Sequence, residues 1–155
     1  MSRSAVPVKP MKHVLFLCTG NYYRSRYAEL LFNALAPTAG VPWHADSRGL
    51  NLAAGAGNVG PISPFAAQRL LSRGIDSAAA QRFPLAARAA DFAQADLAIA
   101  LKRAEHQPLV LAHFPQWAER IEYWDIHDID VGPPDAALAG IDAALNRLLA
   151  RLGAA

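Results

Sequence analysis

Within the stretch "CTGNYYRS", residues Cys18 to Ser25, stand the only cysteine of the chain and an arginine six positions after it. Five intervening residues allow the backbone N–H groups of a loop to converge on one point, where the start of a following helix adds its positive end. That point suits a phosphate. Gly20 permits close approach, and Asn21 is one of the few non-glycine types that tolerate a left-handed conformation. Arg24 can close the cradle with a planar, two-pronged grip on phosphoryl oxygens. The same field is expected to favour thiolate over thiol and so to make Cys18 a nucleophile. A hydroxyl at Ser25 can hydrogen-bond that thiolate and help it leave again.

Such a loop needs rigid supports. The preceding run "HVLFL" is short, apolar and rich in β-branched and aromatic residues, as expected of a buried strand with Cys18 at its carboxyl end. From Ser25, an N-cap candidate, "SRYAELLFNALA" places Tyr27, Leu30, Leu31, Ala34 and Leu35 on one helical face. Further strands are expected at "WHADSRGL", "DLAIALK" and "RIEYW". Helices are expected at "FAAQRLLSRG", stopped by Gly74, at "RAEHQPLVLAHF", where Pro108 argues against continuity, and at "DAALAGIDAALNRLLARL", with Leu138, Ile141, Leu145, Leu148 and Leu149 inward. Strand and helix alternate, which implies a parallel sheet with helices on both faces. In such sheets ligands bind beyond the carboxyl ends of the strands, where "CTGNYYRS" lies.

Composition narrows the classes. A chain of 155 residues, 53% hydrophobic and 18% charged, suits one compact domain. A net charge of +2 from 15 basic and 13 acidic residues offers no polybasic face for nucleic acid. One cysteine cannot form an internal disulfide, and no ligand spacing for structural zinc occurs, so no metal or cofactor is expected and a reducing cytoplasm fits. No apolar run reaches spanning length. Residues 1–11, with two prolines, read as a flexible leader, and residues 12–155 as the domain.

On these residues, "VLFLCTGNYYRSRYAE" resembles the C-x5-R-S signature and flanks of the low-molecular-weight protein tyrosine phosphatases. Weaker similarity runs through "SRG", "LLSRGID" and "ADLAIALKRAEH". The resemblance implies a flavodoxin-like, four-stranded parallel sheet in a three-layer α/β/α arrangement, and two-step hydrolysis of a phosphomonoester through a phosphocysteine. Cys18 and Arg24 would be catalytic, Thr19, Gly20, Asn21, Tyr22, Tyr23, Arg24 and Ser25 would surround the phosphate, and Ser47 would steady Asn21. The partner would be a phosphotyrosine protein or a small aryl phosphate, with inorganic phosphate as product and no nucleic acid or membrane involved.

The leaving oxygen needs a proton. "WDIHDIDVG" offers Asp125, Asp128 and Asp130. The family places its acid first in an Asp-Pro-x-x-Gly stretch, which selects Asp128, with Gly132 matching and Ile129 in place of the proline. Tyr23 stands where many members carry a second cysteine that traps the oxidised nucleophile, so that protection is absent. Arg26 replaces a usual proline and is expected either to add positive potential at the mouth or to be solvated. The five histidines read as surface or loop residues, and the tryptophans as core or flank. Two other readings stand beside the phosphatase: an arsenate reductase-like enzyme using external thiol, and a non-catalytic phosphate-binding module.

Overall fold

The structure, a computed structural model, describes residues 10–79, 82–128 and 132–154. Four strands, β1 (Lys12–Cys18), β2 (Trp43–Gly49), β3 (Leu97–Ala100) and β4 (Ile121–Tyr123), form one parallel sheet in the order β2-β1-β3-β4. The chain moves outward from β1 to one side for β2 and to the other for β3. The sheet therefore reverses direction beside β1, at the crevice where such folds bind ligands. This is the flavodoxin-like α/β fold expected from the sequence.

Alternation along the strands divides the core. Val14, Phe16 and Ile99 face one layer with Tyr27, Leu31 and Phe32 of α1 (Arg24–Thr38), Leu70 of α2 (Pro64–Ser72) and Leu138, Ile141 and Leu145 of α5 (Pro134–Ala154). Leu15, Leu17, Ala98 and Ala100 face the other layer, with Phe92 of α3 (Ala89–Gln94) and Val110 of α4 (Arg103–His113). Burial of both faces explains why β1 reads as a continuous apolar run. Among the described residues no helix is long and apolar enough to cross a membrane.

Three local expectations change. The helix after the loop starts at Arg24, with Tyr23 rather than Ser25 at the cap position, because the Ser25 hydroxyl is committed elsewhere. The α1 stripe centres on Tyr27, Ala28, Leu31 and Phe32, while Leu30, Ala34 and Leu35 are half-buried at its flank. Helix α4 continues through Pro108. The carbonyl that Pro108 leaves without a helical partner belongs to Ala104, and both residues are exposed, so water can satisfy it. Helix α3 was not foreseen.

Candidate active site

Cys18 is the last rung of β1 and pairs in register with Gly49 of β2. Backbone bonds carry the contact onward, from Leu50 N to Cys18 O (2.8 Å) and from Asn51 N to Thr19 O (2.9 Å). Gly49 makes this approach possible: a Cβ there would lie 2.8 Å from Thr19 O and 2.5 Å from Leu52 Cδ2. Two residues later Asn21 takes φ 51°, the single positive value at a non-glycine among the described residues. Its amide is what makes that conformation tolerable.

Asn21 is fully buried and donates from Nδ2 to Ser25 Oγ (2.9 Å) and Ser47 Oγ (2.8 Å). Its Oδ1 accepts from Leu85 N (3.0 Å) and Arg82 Nη1 (2.9 Å). Ser47 donates to Glu29 Oε1 at 2.6 Å. Ser25, already accepting from Asn21, has its own proton left for Cys18 Sγ at 2.9 Å. Behind this chain, Arg26 pairs with Glu29 at 2.9 Å and is 1% exposed. It is neither at the mouth nor solvated, because α1 turns it beneath the loop, where Glu29 balances its charge. Arg82 was not anticipated; it reaches Ser47 O (2.8 Å) and Glu29 (3.3 Å) from the segment before α3.

Arg24 is 1% exposed. Its Nη1 donates to Glu105 Oε1 (3.1 Å) and Ile126 O (3.0 Å), and its Nη2 donates to Glu105 Oε2 (2.6 Å). Asp128 Oδ2 lies 3.5 Å from Nη2. Nε is buried and has no hydrogen-bond partner among the described residues. The Nε/Nη2 edge thus keeps donors to offer a tetrahedral oxyanion. Burial works against the Arg24 charge, but the Glu105 hydrogen bonds and the neighbouring Cys18 and carboxylates raise its pKa further.

Glu105 also accepts from the Thr19 hydroxyl, which is thereby turned away from the loop's centre. His106 is fully buried on α4, contrary to the expectation that the histidines lie at the surface. Its Nδ1 accepts from Lys102 N at 3.0 Å, so the ring proton sits on Nε2, 3.2 Å from both Glu105 Oε2 and Thr19 Oγ1. Burial lowers the His106 pKa and keeps the ring neutral. Burial alone would raise the Glu105 pKa; hydrogen bonds from His106, Arg24 and Thr19 outweigh it and hold the carboxyl well below the usual range. Glu105 was missed from the sequence; the one signal that could have found it is an acid in the first turn of the helix after β3.

Cys18, Gly20, Tyr22, Tyr23, Arg24 and Asp128 line one cavity of about 300 Å³, walled beyond them by Asn58, Ser63, Pro64 and Phe65. Tyr22 donates to Val59 O at 2.6 Å, tying the loop to the wall. Tyr23 is buried and donates to Pro134 O (3.1 Å); burial first, and then the Asp128 charge, push its pKa up to about 12. Asp125 is exposed and does not line the cavity. Asp130, like Ile129, lies outside the described residues. Arg48 pairs with Asp46 and Asp91 and borders a different hollow. Trp43, Trp117 and Trp124 flank the two core layers.

Comparison with known proteins agrees with this geometry. No curated protein sequence matches the chain. Among solved structures, a low molecular weight protein tyrosine phosphatase from T. tengcongensis is similar at 28% identity and TM-score 0.72, over 91% of this chain and 97% of that one. Vibrio vulnificus Wzb, solved in complex with benzylphosphonate, shares 19% identity at TM-score 0.76 over 90% and 98%. The YwlE arginine phosphatase from Geobacillus stearothermophilus shares 24% at 0.67 over 92% and 90%. The profile of low molecular weight phosphotyrosine protein phosphatases matches residues 13–152, nearly the whole chain. The chain belongs to the low molecular weight phosphotyrosine protein phosphatase family.

Proposed function

We propose that this phosphatase hydrolyses aryl phosphomonoesters, phosphotyrosine in particular, through a phosphocysteine on Cys18. The observation that carries the reading is Arg24, which lines one cavity with Cys18 and keeps a buried Nε with no hydrogen-bond partner among the described residues. In the first step Sγ forms a bond to phosphorus as the ester P–O bond breaks, and Asp128 supplies the proton to the departing oxygen. In the second, water attacks phosphorus and gives a proton back to the Asp128 carboxylate, the S–P bond breaks, and inorganic phosphate leaves. Ser25 stabilises the departing thiolate through its hydroxyl, 2.9 Å from Sγ. Gly20, Asn21, Tyr22 and Tyr23 supply loop backbone around the phosphoryl group, and Thr19 holds the loop to α4 through Glu105.

Substrate class follows from the wall. Tyr22, Pro64 and Phe65 give the cavity an apolar rim suited to an aromatic ring. The ring bound as benzylphosphonate in Wzb is a chemical precedent on the same fold. A lone thiol as nucleophile functions best in a reducing compartment, which supports a cytoplasmic setting for the reaction.

Phosphate release from a small aryl phosphate, measured across mildly acidic to neutral pH with wild type, Cys18→Ser and Asp128→Asn, tests this. Cys18→Ser should be inactive, and Asp128→Asn should lose about 10²- to 10⁴-fold in turnover with its acid-dependent limb abolished. Vanadate binding without turnover by the wild type would instead leave a phosphate-binding module.

A further inference from the structure

Arg24 has two edges, and the structure gives them different surroundings. The residue lines the cavity that holds Cys18, and its Nε is buried with no hydrogen-bond partner among the described residues. Its terminal edge, Nη1 and Nη2 together, is gripped by both oxygens of Glu105 at 3.1 and 2.6 Å. Glu105 does not line the Cys18 cavity; it lines the adjoining groove with Thr19, Gly55, Pro108 and Leu109. The carboxylate therefore holds the guanidinium by its terminal nitrogens and leaves Nε for the proposed phosphate.

A two-pronged grip on the terminal edge fixes the guanidinium plane as well as its position, since rotation about the last side-chain bonds would break one or both contacts. The grip is itself held. Thr19, at the start of the phosphate loop, and the buried His106 both donate to Glu105. The proton inventory leaves no ambiguity in direction: Nδ1 of His106 accepts from Lys102 N, so Nε2 must donate. Ile126 O, in the segment that also carries Asp128, takes the other Nη1 proton. One carboxylate thus joins α4, the loop and the arginine.

We infer that Glu105 is the positioning residue for Arg24, aligning the Nε/Nη2 edge with the phosphoryl oxygens while touching neither substrate nor nucleophile. The inference rests on the phosphatase reading above. It predicts a differential effect. An arginine whose plane is fixed favours the trigonal-bipyramidal arrangement of phosphoryl transfer over the tetrahedral ground state, because a free arginine could reorient for either. A carboxylate that merely offset the arginine charge would do the opposite: its removal would strengthen binding of every anion.

The test compares phosphate with vanadate, which adopts the five-coordinate geometry, by calorimetric titration of wild type, Glu105→Gln, Arg24→Lys and the double variant, each checked by thermal melting. Glu105→Gln should weaken vanadate by about 10- to 100-fold, the range of a lost charge-assisted contact, and phosphate by much less. In the Arg24→Lys background the same change should have little further effect on the vanadate-to-phosphate ratio, because the two residues act as one unit. Should Glu105→Gln fail to fold, Glu105→Asp retains the charge but withdraws the fork by one methylene, and the same loss of ratio is expected. An unchanged ratio, tighter binding of both anions, or independent effects in the double variant would overturn the inference while leaving the phosphatase reading intact. A wild type that binds neither anion overturns the phosphatase reading itself.

Discussion

Asn21 donates from Nδ2 to Ser25 Oγ at 2.9 Å, the same oxygen that lies 2.9 Å from Cys18 Sγ. With one lone pair engaged by an amide donor, the hydroxyl keeps its hydrogen to offer a Cys18 thiolate. Asn21 is itself oriented from behind by Leu85 N and Arg82, which engage its Oδ1 and so forbid an amide flip. The amide that holds the serine beside the nucleophile is thus oriented by a segment more than sixty residues away, as the separations of 61 and 64 residues show.

Removing that hydroxyl should slow the second chemical step more than the first, because thiolate is the leaving group there. Ser25→Ala is expected to lower turnover by about 10- to 100-fold, the range of a charge-assisted hydrogen bond. Acid quench during turnover should show phosphocysteine accumulating. Loss of activity with no trapped intermediate would contradict this assignment.

His106 should make stability depend on pH. The unfolded histidine binds a proton near pH 6.5, while burial places the folded value lower. Between these values the unfolded chain holds more protons, so stability falls as pH falls below about 6.5, at up to about 1.4 kcal/mol per pH unit. Above that range both states are neutral and the dependence vanishes. His106→Asn should flatten the acidic slope of urea-unfolding free energy between pH 5 and 8; equal slopes in both proteins would rule the assignment out.

Gly49 and Gly40 separate crowding from backbone conformation. An added Cβ at Gly49 meets Thr19 O at 2.8 Å, whereas at Gly40, with φ +70°, it meets nothing within 4 Å. Gly40→Ala should cost about 1–2 kcal/mol of stability through its left-handed backbone and leave phosphate affinity unchanged. Gly49→Ala should cost about 1–3 kcal/mol through overpacking and also weaken phosphate, because the displaced atom belongs to the loop. Denaturant melts paired with phosphate titration will distinguish the two.

Strand and helix positions were legible because β1 and α5 carry their burial in their own residue order: Val14 to Leu17 are buried on both faces, and Leu138, Ile141, Leu145, Leu148 and Leu149 form one stripe. Residue types within "CTGNYYRS" were enough to foresee the left-handed Asn21 and its neighbours. Ser47 was reached only through family resemblance, since a strand-end serine carries no local signal. Glu105, His106 and Arg82 escaped notice for the same reason: their meaning lies in contacts 81, 87 and 61 residues distant along the chain. Helix α3, at six residues, is too short to show a helical period.

Cys18 is a rung of the sheet, paired with Gly49 and buried, whereas Asp128 follows β4 outside any ladder. Nucleophile and proposed acid therefore stand on separate mounts. Substrates whose leaving group departs without help draw on the first mount alone; those that need a proton draw on both. Substitutions between Trp124 and Pro133 should accordingly steepen the dependence of rate on leaving-group basicity while sparing the best leaving groups, whereas damage to the β1–β2 seam should lower the rate for every substrate alike.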